Sequence, residues 1–364
     1  MKHIAFVIPT LTGGGAERVI VTLVKYLDRR RFRVTLAVVD TRDAVLRGEI
    51  PDDVEFIDLG ARRVRHALPR IIRTIWRIRP DVLFSTLGHL NVALAMVRFL
   101  LPRSVWTVAR ETTVVSNSLQ VQPHRAAWKA LYRWFYRRHD EVICQSRYMR
   151  DDLVRNFRFP EARSRIIHNP VDVERVRSLS AQPVEFPVGD SNAVKLVAAG
   201  RLDKEKGFDL LIEALALLER PVVHLMLLGQ GPLKADLQEC ARQHGVAGRV
   251  HFVGFQSNPY AWFARADALV LSSHYEGFPN VVLESLACGT PVIATPAPGG
   301  TREILEGVDG CVMAEEVSAR SLADAIQRWL DGSRRRVVES AVDSYRVERI
   351  LSEYEAALWK EARA

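Results

Sequence analysis

Lys195-Leu196-Val197-Ala198-Ala199-Gly200-Arg201-Leu202-Asp203-Lys204-Glu205-Lys206-Gly207-Phe208 is the stretch on which the reading of this chain turns. A short apolar run ends in a glycine, a charged loop follows, and a helix-period segment runs on from Phe208 to Leu218. That is one strand, loop and helix of a parallel sheet. Arg201 directly follows the strand and its glycine, so Arg201 and Lys206 both belong at the carboxyl end of the sheet. Two cations beside a helix start in that position can bind a diphosphate. A solvated charge cluster would account for Lys204 and Glu205, but it accounts less well for Arg201.

The same alternation extends in both directions. Ahead of it, strands are predicted at Ile4 to Ile8, Val34 to Val39, Val54 to Leu59, Val82 to Ser85, Val105 to Ala109, Glu141 to Cys144 and Arg165 to Ile167. Behind it they are predicted at Val222 to Leu228, Val250 to Val253, Ala268 to Leu271 and Pro291 to Ala294. Helical patterns fill most of the gaps. Between the two series, Pro170, Pro183, Pro187, Gly189, Asp190 and Ser191 mark turns and a linker. The expectation is therefore α/β: two doubly wound, Rossmann-like domains, residues 1–185 and 186–364, facing each other so that the strand ends line a cleft. From Val317 to Arg363 the pattern is helical, and its last helix, Tyr345 to Lys360, is expected to pack back on the first domain.

Composition narrows the class. The 364 residues are 48% hydrophobic and 26% charged, an ordinary globular balance that excludes disordered, collagen-like and coiled-coil chains. The longest apolar run, Leu83 to Leu101, is interrupted by Ser85, His89, Asn91 and Arg98, so it is no spanning helix. Met1 leads straight into a strand-like segment without the features of a secretion signal, and the expected location is the cytoplasm. Cys144, Cys240, Cys288 and Cys311 are scattered, which argues against a disulfide framework or a structural zinc.

Charge is unevenly spread. Residues 1–180 carry 32 Lys and Arg against 18 Asp and Glu, whereas 181–364 carry 19 against 25. A basic half implies something anionic as a partner. Arg70, Arg73 and Arg77 share one face of a helix expected to begin near Pro69, with Ile71, Ile75 and Ile78 on another. A second basic and aromatic stretch holds Trp128, Lys129, Tyr132, Arg133, Trp134, Tyr136, Arg137 and Arg138. Such segments read either as core-packing crossover helices or as elements at an anionic membrane surface. Nucleic acid is not expected, because no recognition motif accompanies the charge.

Two further segments carry chemistry. Thr12-Gly13-Gly14-Gly15-Ala16-Glu17-Arg18 follows the first strand and opens a helix, bringing backbone N–H groups to a ligand anion or simply making a tight turn. It fits neither the dinucleotide nor the P-loop pattern. In Ser273-His274-Tyr275-Glu276-Gly277-Phe278-Pro279-Asn280-Val281-Val282-Leu283-Glu284, a strand gives way to a Gly-Pro loop and then a helix starting near Pro279 or Asn280. Carboxylates beside an anion site repel the anion, so Glu276 and Glu284 point to neutral hydroxyls or a developing positive charge. A sugar supplies both.

At these residues the chain resembles glycosyltransferase family four, retaining nucleotide-sugar transferases of the GT-B fold. Glu276 and Glu284, with seven residues between, look like that family's EX7E motif, and Gly200-Arg201 to Lys206-Gly207 look like its diphosphate loop. Gln145-Ser146, Asn169-Pro170-Val171-Asp172 and Gly229-Gln230-Gly231-Pro232 fall in family order. The resemblance implies that Arg201 and Lys206 hold the donor diphosphate, Glu276 the sugar hydroxyls and Glu284 the ribose. It further implies backbone contacts from Phe278 through Val282, including Asn280 and Val281, with Gly277 in the same loop. Gly14 and Gly15 would meet the leaving phosphate and Phe255 the base. His89 stands a few residues later than the family's histidine, and Arg110 with Glu111 forms a candidate acceptor-side pair. Cations and helix dipoles can stabilise the leaving diphosphate directly, and the chain has no DxD pair, so no metal or other cofactor is expected. The implied activity is metal-independent transfer of a hexose or N-acetylhexosamine from a UDP-sugar to a glycan or polyprenyl-diphosphate-linked acceptor, peripherally at the inner membrane face. A UDP-sugar epimerase or phosphorylase on the same scaffold, and a non-catalytic membrane-surface adaptor, are the alternatives.

Overall fold

A computed structural model describes residues 1–359 except 191, 219 and 221. The expected linker residue Ser191 and the helix end at Lys360 thus lie outside the described residues. The chain divides into two compact units, Met1–Pro170 with Val347–Ala364, and Val171–Arg346.

The first unit is a seven-stranded, all-parallel sheet in the order β3-β2-β1-β4-β5-β6-β7. Its strands are β1 (Lys2–Ile8), β2 (Phe32–Val38), β3 (Glu55–Asp58), β4 (Val82–Thr86), β5 (Trp106–Arg110), β6 (Glu141–Cys144) and β7 (Ser164–Ile166). The helices between them are α1 (Gly15–Tyr26), α2 (Val64–Ile78), α3 (Gly88–Met96), α4 (Val115–Gln120), α5 (Arg125–Phe135) and α6 (Arg147–Phe157). Because β1 is central, pairing Ile4 with both Val34 and Val82, it is buried on both faces. Its alternate side chains enter two cores: Ile4, Phe6 and Ile8 pack with Val19, Ile20 and Leu23 of α1, and Ala5 and Val7 with Ile71 and Ile75 of α2.

The second unit is a six-stranded parallel sheet in the order β10-β9-β8-β11-β12-β13. It comprises α7 (Val173–Ser180), β8 (Val194–Ala199), α8 (Phe208–Leu217), β9 (Val223–Leu228), α9 (Lys234–Gln243), β10 (Val250–Gly254), α10 (Tyr260–Arg265), β11 (Ala268–Leu271), α11 (Asn280–Ala287), β12 (Val292–Ala294), α12 (Thr301–Leu305), β13 (Val312–Met313) and α13 (Ala319–Asp331). α14 (Val347–Leu358) then returns to the first unit.

Three details differ from the sequence reading. The division falls at Pro170 and not near residue 185, because Val173 and Val176 of α7 are buried with Tyr260, Phe263 and Leu286 of the second unit. α2 begins at Val64, not at Pro69; Ala67 is fully buried, and that apolar contact carries the helix through a proline that lacks an N–H. The edge strand β13 spans only two residues, too few to show a period.

Candidate functional site

The sequence-selected residues form two sets, one in each unit. In the second unit, β8 ends at Ala199 and the loop beyond it is tied down on two sides. Leu202 N–H donates to the Gln230 carbonyl at 3.0 Å, and Gly200 N–H to that of Leu228 at 2.9 Å. Farther along, the His274 N–H reaches the Glu205 carbonyl at 2.9 Å and Ser272 Oγ the Lys206 carbonyl at 2.8 Å. Gly207, at φ +58°, makes this approach possible, since a Cβ there would collide with the Ser272 carbonyl oxygen.

This packing brings Lys206 and Glu276 together across 70 residues of sequence. Lys206 Nζ donates to Glu276 Oε1 at 2.8 Å and to Glu205 Oε1 at 3.2 Å. Ser273 Oγ donates to the same Glu276 oxygen at 2.6 Å. Burial alone would lower the Lys206 pKa, but Glu276 and then Glu205 outweigh it and raise it. Lys206 therefore stays a cation throughout the physiological range. Burial raises the Glu205 carboxyl, with Glu276 adding to the effect, and lifts the Tyr275 phenol to about 12.

The remaining members follow the carboxyl ends of β8, β10 and β11 in the same unit. Arg201 projects outward with its side chain 73% exposed and Asp203 3.7 Å away. α11 starts at Asn280 after Pro279, and Glu284 lies one turn inside it, where Tyr260 Oη donates to it at 3.4 Å. Phe278 and Val282 are buried among core side chains, so what they can present to a ligand is backbone. Val281 is half-buried, Gly277 is buried in the loop, and Phe255, just beyond β10, is half exposed. Ser273 and Gly299 join the set although neither was assigned a role from sequence. A Cβ on Gly299, at φ +136°, would collide with the Glu276 carbonyl oxygen, and the Gly300 N–H caps Gly277 O at 2.8 Å. The signal available was the turn-forming run Pro298-Gly299-Gly300.

In the first unit, Gly14 and Gly15 stand at the start of α1, as N-cap and first residue. Glu17 is buried below them and accepts from Gly14 N–H at 2.8 Å and from Thr12 Oγ1 at 3.1 Å, and also from Thr10 Oγ1. This is one half of a capping box, the N3 carboxylate reaching back to the N-cap N–H, and it fixes the glycine loop from below. His89 is exposed on the first turn of α3, which follows Leu87 at φ +73°, a backbone conformation uncommon for a side chain of that size.

Arg110 and Glu111 occupy the end of β5, but the structure corrects their expected role. Arg110 is fully buried; its Nε donates to Tyr354 Oη at 3.0 Å and its Nη2 to Asn169 Oδ1 at 2.5 Å. Glu111 is buried too, accepting from Tyr136 Oη and, at 3.4 Å, from Asn91 Nδ2, while its Oε2 meets no partner. Both side chains are internal, so neither is offered to an acceptor from the surface. Burial raises the Glu111 carboxyl to about 7.

Two family models cover most of the chain: Glycosyltransferase Family 4 over residues 13–175 and Glycosyl transferases group 1 over 187–342. Among curated relatives, a Campylobacter jejuni N-acetylgalactosamine-N,N'-diacetylbacillosaminyl-diphospho-undecaprenol 4-alpha-N-acetylgalactosaminyltransferase is 26% identical, over 92% of this chain and 92% of its own. A lipopolysaccharide core biosynthesis glycosyltransferase of Rhizobium meliloti is 37% identical over 45% of this chain and 46% of its own length. Among solved structures, an Anabaena protein in complex with UDP and glucose superposes with a TM-score of 0.79 at 21% identity, over 99% of this chain and 100% of that one.

Proposed function

The chain belongs to the glycosyltransferases of group 1 and family 4 and has the GT-B fold, and from that premise we propose that it moves a hexose or N-acetylhexosamine from a UDP-sugar to a glycan or lipid-linked acceptor. Transfer proceeds with retention, needs no metal, and takes place at the membrane face where a polyprenyl-diphosphate-linked acceptor is anchored. The observation that carries the reading is the Lys206–Glu276 contact of 2.8 Å at the carboxyl end of the second sheet, with Arg201 beside it.

The roles follow from charge. Cleavage of the anomeric bond leaves extra negative charge on the nucleoside diphosphate and positive character on the sugar. Lys206, held protonated by its carboxylate neighbours, and the extended Arg201 face the first of these charges. They stabilise the departing diphosphate where a metal would otherwise be required. Glu276, fixed by Lys206 and Ser273, keeps an oxygen for the sugar hydroxyls, and Glu284 serves the ribose. The lipid-linked acceptor draws support from the diphospho-undecaprenol substrate in the name of the Campylobacter relative, which aligns with nearly the whole chain.

The test incubates the protein with a panel of UDP-sugars in EDTA, with undecaprenyl-diphosphate-linked and soluble glycan acceptors, and follows UDP release. NMR of the product then reads the anomeric configuration. UDP release dependent on an acceptor, an α-product from an α-donor and indifference to EDTA are expected. A new sugar formed without acceptor would replace transfer by epimerisation, and strict dependence on inorganic phosphate would replace it by phosphorolysis.

A further inference from the structure

The first unit carries a surface for which the transfer chemistry has no use. Trp76 of α2 is 50% exposed, yet its indole N–H is fixed on the Leu100 carbonyl at 2.8 Å. Leu100 lies in the turn after α3, whose Met96, Phe99 and Leu100 all project into solvent, Phe99 with 75% of its surface open. From Met96 the patch continues to the end of α5: Arg138 Nη1 donates to the Met96 carbonyl at 3.2 Å, and its guanidinium stacks 4.8 Å from the centre of the Phe135 ring. Beside Phe135, Trp134 is 78% exposed. Trp76, Met96, Phe99 and Leu100 thus come from two neighbouring elements to one stretch of surface, and Trp134 is exposed on the helix whose following turn is tied to Met96.

The charge around that patch has one sign. Residues 59–139 contain 15 Lys and Arg but only two acids, Asp81 and Glu111, and Glu111 is buried. Arg73, Arg77, Arg103, Arg133, Arg137 and Arg138 are exposed around the aromatic positions. Such a face would repel a second copy of itself. A nucleic acid would use the cations and could stack on the rings, but it gives no burial to Met96 and Leu100. A sheet of anionic headgroups above a hydrocarbon layer satisfies both components, with arginines at the phosphates and Trp, Phe, Leu and Met below them.

We propose that the face formed by Trp76, Met96, Phe99, Leu100 and Trp134, ringed by arginines, is a docking surface for an anionic phospholipid bilayer. It gives residues to the membrane-face part of the proposed function, and it rests on that reading only for its biological sense, since lipid binding needs no sugar transfer.

The test floats the 364-residue chain with vesicles of phosphatidylcholine alone and of phosphatidylcholine with 30% phosphatidylglycerol, at low and high salt. Binding to the anionic vesicles, weakened by salt and absent from neutral ones, is expected. Phe99→Asp with Trp134→Asp should lower partitioning by about tenfold or more, and Arg73→Glu with Arg77→Glu by at least about 25-fold. The melting temperature and UDP-sugar binding should stay at wild-type values, because every altered side chain is exposed. Arg242→Glu, on α9 of the other unit, should change nothing. Failure of the wild type to bind anionic vesicles, equal binding by the Asp variants, or preference for a 30-nucleotide RNA that the Asp variants leave intact would overturn the proposal. Vesicle binding without transfer would discredit the transferase reading alone, and transfer to a soluble acceptor without vesicle binding would discredit this surface alone.

Discussion

At the scale of single residues, Lys206 and Glu111 show burial acting in opposite ways. Lys206 is a half-enclosed cation held between two carboxylates; replacing it with Ala leaves Glu205 and Glu276 close together with no counter-charge. The variant should lose about 2–4 kcal/mol of stability and roughly 10²–10³ in kcat, read by thermal melts and UDP release. Lys206→Arg should restore most of the stability and part of the rate, which distinguishes charge from shape. Glu111 has a folded-state pKa of about 7, above its ordinary 4.5, because burial disfavours the anion. A raised carboxyl binds its proton more tightly in the folded state. Its stabilising contribution is therefore full below about pH 4.5 and is lost as the pH rises towards 7. Glu111→Gln should remove that slope, so that urea midpoints of wild type and variant diverge in the variant's favour between pH 5 and 8, by on the order of 2 kcal/mol. Parallel pH profiles would show that Glu111 is not the titrating group. The sequence placed Glu111 at a strand end, where function gathers, but could not show the side chain turning inward, because Tyr136 and Asn91, which hold it, lie 25 and 20 residues away.

At the scale of elements, what could be read in advance was whatever had a long enough period. Every strand of the first sheet and five of the six in the second lie where short apolar runs placed them. β8, α8 and the loop between them were legible down to Arg201 and Lys206, because a strand, a glycine and a helix start leave little choice of where that loop lies. The Lys206–Glu276 contact itself was not legible, since it depends on Gly299 letting backbone approach the Glu276 carbonyl and on the Ser273 hydroxyl holding the carboxylate. α2 was misplaced at its start because Pro69 resembles a first-turn proline, whereas it is the sixth residue of the helix. Its ring removes one hydrogen bond from the ladder, and helices lose about 3 kcal/mol to an interior proline. Pro69→Ala should thus stabilise the protein by about 2 kcal/mol after the unfolded chain's gain in freedom is subtracted, visible as a higher urea midpoint with an unchanged slope. A loss of stability would mean that the proline sets a bend on which the packing of Ala67 and Ile71 depends. Gly299→Ala works the other way: a Cβ at that φ meets the Glu276 carbonyl, so UDP-sugar binding should weaken along with stability, whereas a surface glycine such as Gly248, with open space around it, should tolerate the same change.

At the scale of the whole molecule, the chain crosses between its units twice, at Pro170 and again at Arg346. The second crossing makes the first unit depend on a helix that follows the second unit in sequence. Ile350, Tyr354, Ala357 and Leu358 of α14 are essentially inaccessible and share a core with Ile4, Phe6 and Phe84. Tyr354 accepts from buried Arg110, and Glu355 pairs with Arg31 at 2.6 Å. Removing residues 347–364 should forfeit on the order of 5 kcal/mol of apolar burial from three large side chains, comparable with the whole net stability of many domains at about 5–15 kcal/mol. It also leaves the Arg110 guanidinium buried with one fewer acceptor, a further loss of roughly 1–3 kcal/mol. A chain ending at Arg346 should therefore show a first unit that melts early or exchanges its amide protons freely. The second unit, whose cores contain no residue of α14, should keep its own transition and its UDP-sugar affinity. Tyr354→Phe isolates the polar part: it retains the ring beside Phe84 and removes only the hydroxyl, so it should lower the first transition by far less than the truncation. Native-state hydrogen exchange resolved by segment decides the matter. If β1 and β4 remain as protected in the truncated chain as in the intact one, α14 is an ornament on a self-sufficient unit; if protection collapses in 1–170 alone, the terminal helix is part of that unit's core.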